Sequence, residues 1–106
     1  MTDALQHLES IIRARRAADP ETSYVAKLTQ RGRTRITQKL GEEAIETVIA
    51  AIANNHEEVI KESADLLFHL IILFADMGLS INDVYAELER REGVSGLAEK
   101  ASRGAQ

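Results

Sequence analysis

The stretch from Lys39 to His69 constrains this chain more than any other. It carries two acidic patches, Glu42-Glu43-x-x-Glu46 and Glu62-x-x-Asp65, at the i, i+3 spacing that puts carboxylates on one face of a helix. The second patch runs straight into Leu66-Leu67-Phe68-His69-Leu70-Ile71-Ile72-Leu73-Phe74-Ala75. Carboxylates at the edge of so apolar a helix need a compensating cation. Two helices that face each other and hold a divalent metal between them satisfy both patches.

Helical geometry narrows the picture. Counted at about 100° per residue from Glu42, Lys39 falls near 60°, Glu46 near 40° and Glu43 at 100°. Ile36, Leu40, Ala44, Ile45, Val48, Ile49 and Ile52 fill the remaining arc. The first acidic patch is therefore a narrow slot with apolar flanks on a helix expected from about Thr34 to Asn54. Gly41 lies in that helix at a cost of about 1 kcal/mol against Ala, which suggests close approach by a neighbouring helix or a ligand.

On the second helix, expected to run to Met77 with Gly78 as its stop, the polar groups Glu58, Glu62, Asp65, His69 and Asp76 form one line within about 60°. The rest of its circumference is apolar, so it has to be buried on all those sides. A chain of 106 residues has few helices with which to surround it. A homodimer whose interface uses this helix is the expectation.

The remainder fits an all-α fold of four to five helices, a bundle completed by homodimerisation. There is one proline, no Trp and only two Phe and two Tyr, so the core is mostly aliphatic. No run alternates in the manner of a strand. Leu5, Leu8, Ile11 and Ile12 mark a first helix from about Asp3 to Ala17, ended by Asp19-Pro20. Arg13, Arg15 and Arg16 near its end suit the helix dipole. Ser23 caps a short second helix that stops near Gly32, Asn55 and Glu58 stand at capping-box spacing, and Ser80 and Asp83 open a last helix to Arg91. We expect one domain over residues 1–93 and a flexible tail over 94–106, where the residues turn small and polar.

Several classes are disfavoured. The absence of cysteine rules out disulfides and thiolate chemistry and fits a reducing compartment. The net charge of −4 argues against general nucleic-acid binding. No secretory signal is predicted at Met1–Gln6. The longest apolar run is about half of the roughly 20 residues a membrane span needs.

From Lys27 to Lys39 there are five cations (Lys27, Arg31, Arg33, Arg35, Lys39) and no acid. Alone this is a solvated basic loop; beside a metal it becomes a counter-surface for phosphates, adaptable at Gly32. Five carboxylates, Glu42, Glu43, Glu46, Glu62 and Asp65, suit a hard cation such as Mg²⁺. A metal there can screen phosphate charge and activate a water for attack at phosphorus. A di-iron site needs Glu-x-x-His on paired helices; these motifs have no histidine at i+3, which favours Mg²⁺ or Mn²⁺. His69, one turn beyond Asp65, is a metal ligand, a group supporting the metal site from behind its ligands, or a satisfied core histidine at the oligomer interface.

Lys39-Leu40-Gly41-Glu42-Glu43-Ala44-x-Glu46, followed by Glu62-x-x-Asp65-Leu66-Leu67-x-His69, resembles the phosphoribosyl-ATP pyrophosphatase family, within the all-α nucleotide pyrophosphatase (MazG-type) superfamily. The likeness spans roughly Leu5 to Arg91 and includes Ser23-Tyr24 and Glu87-Leu88-x-x-Arg91. It implies Mg²⁺-dependent hydrolysis of phosphoribosyl-ATP to phosphoribosyl-AMP and pyrophosphate, a step of histidine biosynthesis, by a cytoplasmic homodimer with no nucleic-acid or membrane partner. By the same resemblance Glu42, Glu43, Glu46, Glu62 and Asp65 bind metal, with Glu43 and Glu46 as catalytic candidates, and Lys27, Arg31 and Lys39 meet phosphates. The alternatives are a house-cleaning nucleoside triphosphate pyrophosphatase and, from another class, a non-catalytic helical dimerisation module with an acidic surface.

Overall fold

The computed structural model describes residues 3–92; the tail expected over 94–106 lies outside the described residues. Among the described residues the chain is all-α. Five helices follow one another: α1 (Ala4–Arg15), α2 (Tyr24–Arg31), α3 (Arg33–Ile52), α4 (His56–Met77) and α5 (Ile81–Arg91). Three of the expected caps form. Ser23 accepts from the Ala26 N–H and Asn55 from the Glu58 N–H, while Ser80 and Asp83 close a full capping box.

Two helix ends fall short of the expectation. α1 stops at Arg15 rather than Ala17, before the turn at Asp19-Pro20. α3 stops at Ile52 because Asn54 turns left-handed, with φ 56°. The Asn54 and Asn55 N–H groups then donate back to the carbonyls of Ala51 and Ala50, the two bonds of a Schellman stop. Asparagine tolerates that conformation better than most residues.

The basic block is not a loop. Lys27 and Arg31 belong to α2 and Arg33, Arg35 and Lys39 to α3, the two helices meeting at Gly32 alone. Gly32 has φ 93°, open to glycine but strained for other residues. The cations are therefore mounted on helices and held in fixed directions.

α3 and α4 form the main hairpin. Its outer end is bolted by Asp76 near the end of α4, which accepts from Arg33 Nε at 3.0 Å and pairs with Arg16 of the α1 end at 3.5 Å. Arg16 thus serves an ion pair, beyond the dipole role expected of it. Ile12, Val25, Leu28, Ile36, Ile71 and Ile72 make the core around this end. Ile12, Ile36, Ile71 and Ile72 are fully buried, each worth about 1.5–3 kcal/mol. α5 is docked by a buried carboxylate: Glu9 accepts from the Ile81 N–H at 2.7 Å and the Ser80 hydroxyl at 3.0 Å.

Toward its loop the hairpin leaves this core. Ile45, Val48, Ile49 and Ile52 of α3 and Ile60 of α4 are exposed, Ile52 at 84%. The most exposed apolar side chains thus lie on α3, beside an apolar face of α4 that is only partly covered. On α4, Ile71 and Ile72 are at 0% exposure, while Leu67 and Met77 are exposed and Leu66, Phe68, Leu70, Leu73 and Phe74 are half-buried. Gly41 also differs from expectation. A Cβ there meets nothing within 4 Å, so among the described residues no neighbouring helix makes the close approach expected there. Among the described residues no single helix is long and apolar enough to cross a membrane.

Candidate active site

The acidic patches meet where the covered part of the hairpin gives way to the uncovered part. Glu43 of α3 and Glu62 and Asp65 of α4 each bring one carboxylate oxygen to within 4.8 Å of the others. Glu43 is buried, Glu62 half-buried and Asp65 exposed, so the group is anchored inside and open to solvent on one side. Glu46, one turn along α3, presses on Glu62. Glu62 is pushed up to about 7, first by Glu46 and then by Glu43, since carboxylates crowd together this way only when one holds a proton.

Two buried oxygens, Oε2 of Glu43 and Oε2 of Glu62, have no hydrogen-bond partner. Such atoms cost roughly 1–3 kcal/mol each, more when charged, unless something satisfies them. A divalent cation bound by hard oxygen ligands does so and removes the mutual repulsion as well. The donor set is all carboxylate, which suits Mg²⁺ or Mn²⁺ and not a thiophilic metal.

Glu42 stands apart from this group. Its carboxylate lies against Lys39 Nζ at 3.5 Å, Arg35 Nη1 at 3.9 Å and Gln38 Nε2 at 3.4 Å. Lys39 also reaches Glu43 Oε1 at 3.8 Å, so it is the seam between carboxylates and cations. On the cationic side lies a cavity of about 240 Å³ lined by Tyr24, Lys27, Leu28, Arg31, Arg35 and Lys39. Lys27, Arg31 and Lys39, expected to meet phosphates, converge on one cavity. Arg33, two residues from Arg35, turns away to Asp76.

Arg35 entered the sequence reading only as one cation of the basic block, and Tyr24 only in the family likeness, neither as a residue of the site. Their signal was positional: Tyr24, Lys27, Leu28 and Arg31 fall at i, i+3, i+4 and i+7 along α2, and Arg35 and Lys39 at i, i+4 along α3. That pattern is visible only once the block is known to be helical. Further along α3, Glu46, Ile49, Ala50, Ala53, Asn55, Glu58 and Glu62 surround a second cavity of about 280 Å³.

His69 lies outside the three-carboxylate group and is buried against α2. Its Nδ1 is 2.8 Å from the Asp65 carbonyl and its Nε2 is 2.7 Å from the Tyr24 hydroxyl. A carbonyl can only accept, so Nδ1 carries the proton, and Nε2 accepts from Tyr24. Phe68 packs edge-on to the imidazole at 5.4 Å. His69 is therefore a fully bonded core histidine that also touches the backbone of a carboxylate of the group.

Residues 5–92 match the family model described as phosphoribosyl-ATP pyrophosphohydrolase. A relative from Rhizorhabdus wittichii, named phosphoribosyl-ATP pyrophosphatase, is 63% identical over 103 residues, 97% of this chain and 97% of its own. Relatives of the same name from Erythrobacter litoralis and Zymomonas mobilis are each 55% identical. They cover 96% and 95% of this chain, and 98% and 94% of their own lengths.

Proposed function

The chain belongs to the phosphoribosyl-ATP pyrophosphohydrolase family, and from that premise we propose that it hydrolyses phosphoribosyl-ATP to phosphoribosyl-AMP and pyrophosphate. This is the second step of histidine biosynthesis, which we place in the cytoplasm. One observation carries the reading: a three-carboxylate group with two orphaned buried oxygens abuts a cavity walled by four cations, with Lys39 touching both. A polyphosphate laid across that seam has a metal site at one end and charge-assisted donors at the other.

Glu43, Glu62 and Asp65 hold the ion, taken as Mg²⁺ with Mn²⁺ as the substitute, and Glu46 completes the acidic wall. When bound, the metal neutralises phosphate charge and lowers the pKa of a coordinated water. Lys27, Arg31, Arg35 and Lys39 grip the phosphates and present the α–β linkage to that acidic wall. A water held against that wall would bond to the α-phosphorus as the bond to the bridging oxygen breaks, and pyrophosphate would leave into the basic cavity. Glu46, against Glu62 and outside the tight group, would take the water's proton. Glu42 serves as counter-ion to Arg35 and Lys39 and yields them when phosphate enters.

A second copy of the chain covers the exposed apolar face of α3, giving the homodimer implied by the likeness. Ile49 lies on that face and also lines the cavity next to Glu46 and Glu62, so the dimer contact adjoins the site.

The test is pyrophosphate release from phosphoribosyl-ATP and from a panel of ordinary and modified nucleoside triphosphates, with and without Mg²⁺. Metal-dependent turnover of phosphoribosyl-ATP well above the panel is expected. Turnover of the triphosphates alone would shift the assignment to a house-cleaning enzyme. No pyrophosphate from any of them would leave a dimerisation module.

A further inference from the structure

Tyr24 is bound into the molecule in an unusual way for a residue half open to solvent. The residue is 47% exposed and walls the basic cavity, its ring stacked on Phe68 at 6.1 Å. Its hydroxyl points the other way, inward to His69 Nε2 at 2.7 Å. Because Nδ1 of the same imidazole donates to the Asp65 carbonyl at 2.8 Å, the ring cannot flip without losing both bonds. The result is one continuous chain: cavity wall, hydroxyl, imidazole, backbone of a metal-site carboxylate.

Stacking and burial explain why aromatic rings lie here, but a phenylalanine at position 24 satisfies both. They do not explain the hydroxyl. What the hydroxyl adds is a directional link between two helices that carry different halves of the site. Lys27 and Arg31 share a stripe of α2 with Tyr24. Glu62 and Asp65 lie on the turns of α4 that precede His69. Phosphate grip and metal grip work together only if those two sets stay at a fixed offset, since misplacement on the order of 1 Å can cost about 10²-fold in rate.

We propose that Tyr24 and His69 are a positioning pair: their hydrogen bond sets the register between the phosphate-binding face of α2 and the carboxylate turns of α4. This rests on the reading of those two halves as phosphate and metal sites. Neither residue belongs to the three-carboxylate group or to the four cations of the cavity. Each half keeps its own ligand affinity without the bond, and only their cooperation on one substrate is lost.

The experiment compares the full-length wild type with Tyr24→Phe, His69→Phe and the double variant. Turnover of phosphoribosyl-ATP is measured beside Mn²⁺ affinity by electron paramagnetic resonance, and inorganic pyrophosphate affinity in the absence of metal by calorimetry. For Tyr24→Phe, kcat falls about 10- to 100-fold, while both affinities stay within about twofold of wild type. The double variant is no slower than the slower single, as for residues acting as one unit.

An unchanged kcat, or a kcat that falls only in step with both affinities and with thermal stability, overturns the proposal. ¹⁵N signals of the imidazole separate this from failure of the activity itself. If the wild type does not turn over phosphoribosyl-ATP, the functional reading fails first. The pair then stands or falls on whether Tyr24→Phe shifts the His69 Nε2 resonance away from that of a bonded acceptor.

Discussion

Adjacent residues of one motif do different work. Glu42 and Glu43 are about 100° apart on the helix; one faces cations and the other the carboxylates of α4. Glu43→Gln is expected to lower turnover on the order of 10²-fold or more, the scale of losing one electrostatic stabiliser, with the far-UV circular dichroism of the wild type. Loss of helicity would mean that Glu43 is a structural residue. Glu62 gives a pH signature. Held at about 7 in the fold against 4.5 ordinarily, it binds its proton more tightly folded than unfolded. Its contribution to stability is full below about 4.5 and lost as pH rises through about 7. Metal-free protein should therefore melt at lower temperature at pH 8 than at pH 5, and Glu62→Gln should flatten that slope. Mg²⁺ should raise the melting temperature more at pH 8 than at pH 5; equal shifts at both would argue against the ion sitting on Glu62.

Polar ties fix each helix relative to the next. α5 shows this most simply, since a carboxylate of α1 caps its first turn from outside. Glu9→Ala removes the acceptor for two groups and should cost about 2 kcal/mol, the scale of orphaning a buried donor. Urea midpoints read that loss, and specific activity of the folded fraction should hold, because α5 does not line the cationic cavity. No motif advertises Glu9, a single acid on an otherwise ordinary amphipathic helix. By contrast, the caps at Ser23, Asn55 and Ser80 could be read from short local patterns. The basic block was misread at this same scale. Taken as a loop it had no angular order; as two helices meeting at Gly32, it sends Arg33 to Asp76 and Arg35 to the cavity.

As a whole molecule the chain is unevenly covered. One end of the hairpin is wrapped by α1 and α2; the other carries four exposed aliphatics along α3. Contiguous exposed apolar surface of this kind marks an association site. Sedimentation should find a dimer that dissociates on dilution, and Ile49→Asp should yield monomers. Those monomers should also lose turnover, since Ile49 lines the cavity beside Glu46 and Glu62. A monomeric variant with full activity would separate the two.

The sequence by itself determined the all-α class, most helix limits and the two acidic helix faces, Glu42, Glu43 and Glu46 on one helix and Glu62 and Asp65 on the other. All of these follow from local periodicity and capping, which need no knowledge of neighbours. Tertiary structure alone decided which carboxylates gather and which are spent on cations, as Glu43 and Glu42 divide. It decided too which arginine lines the cavity, and that the most exposed aliphatics lie along α3. It joined Tyr24 to His69 across 45 positions of chain. Such choices depend on contacts between helices distant in sequence, and helical spacing gives the direction of a side chain without the identity of what it meets.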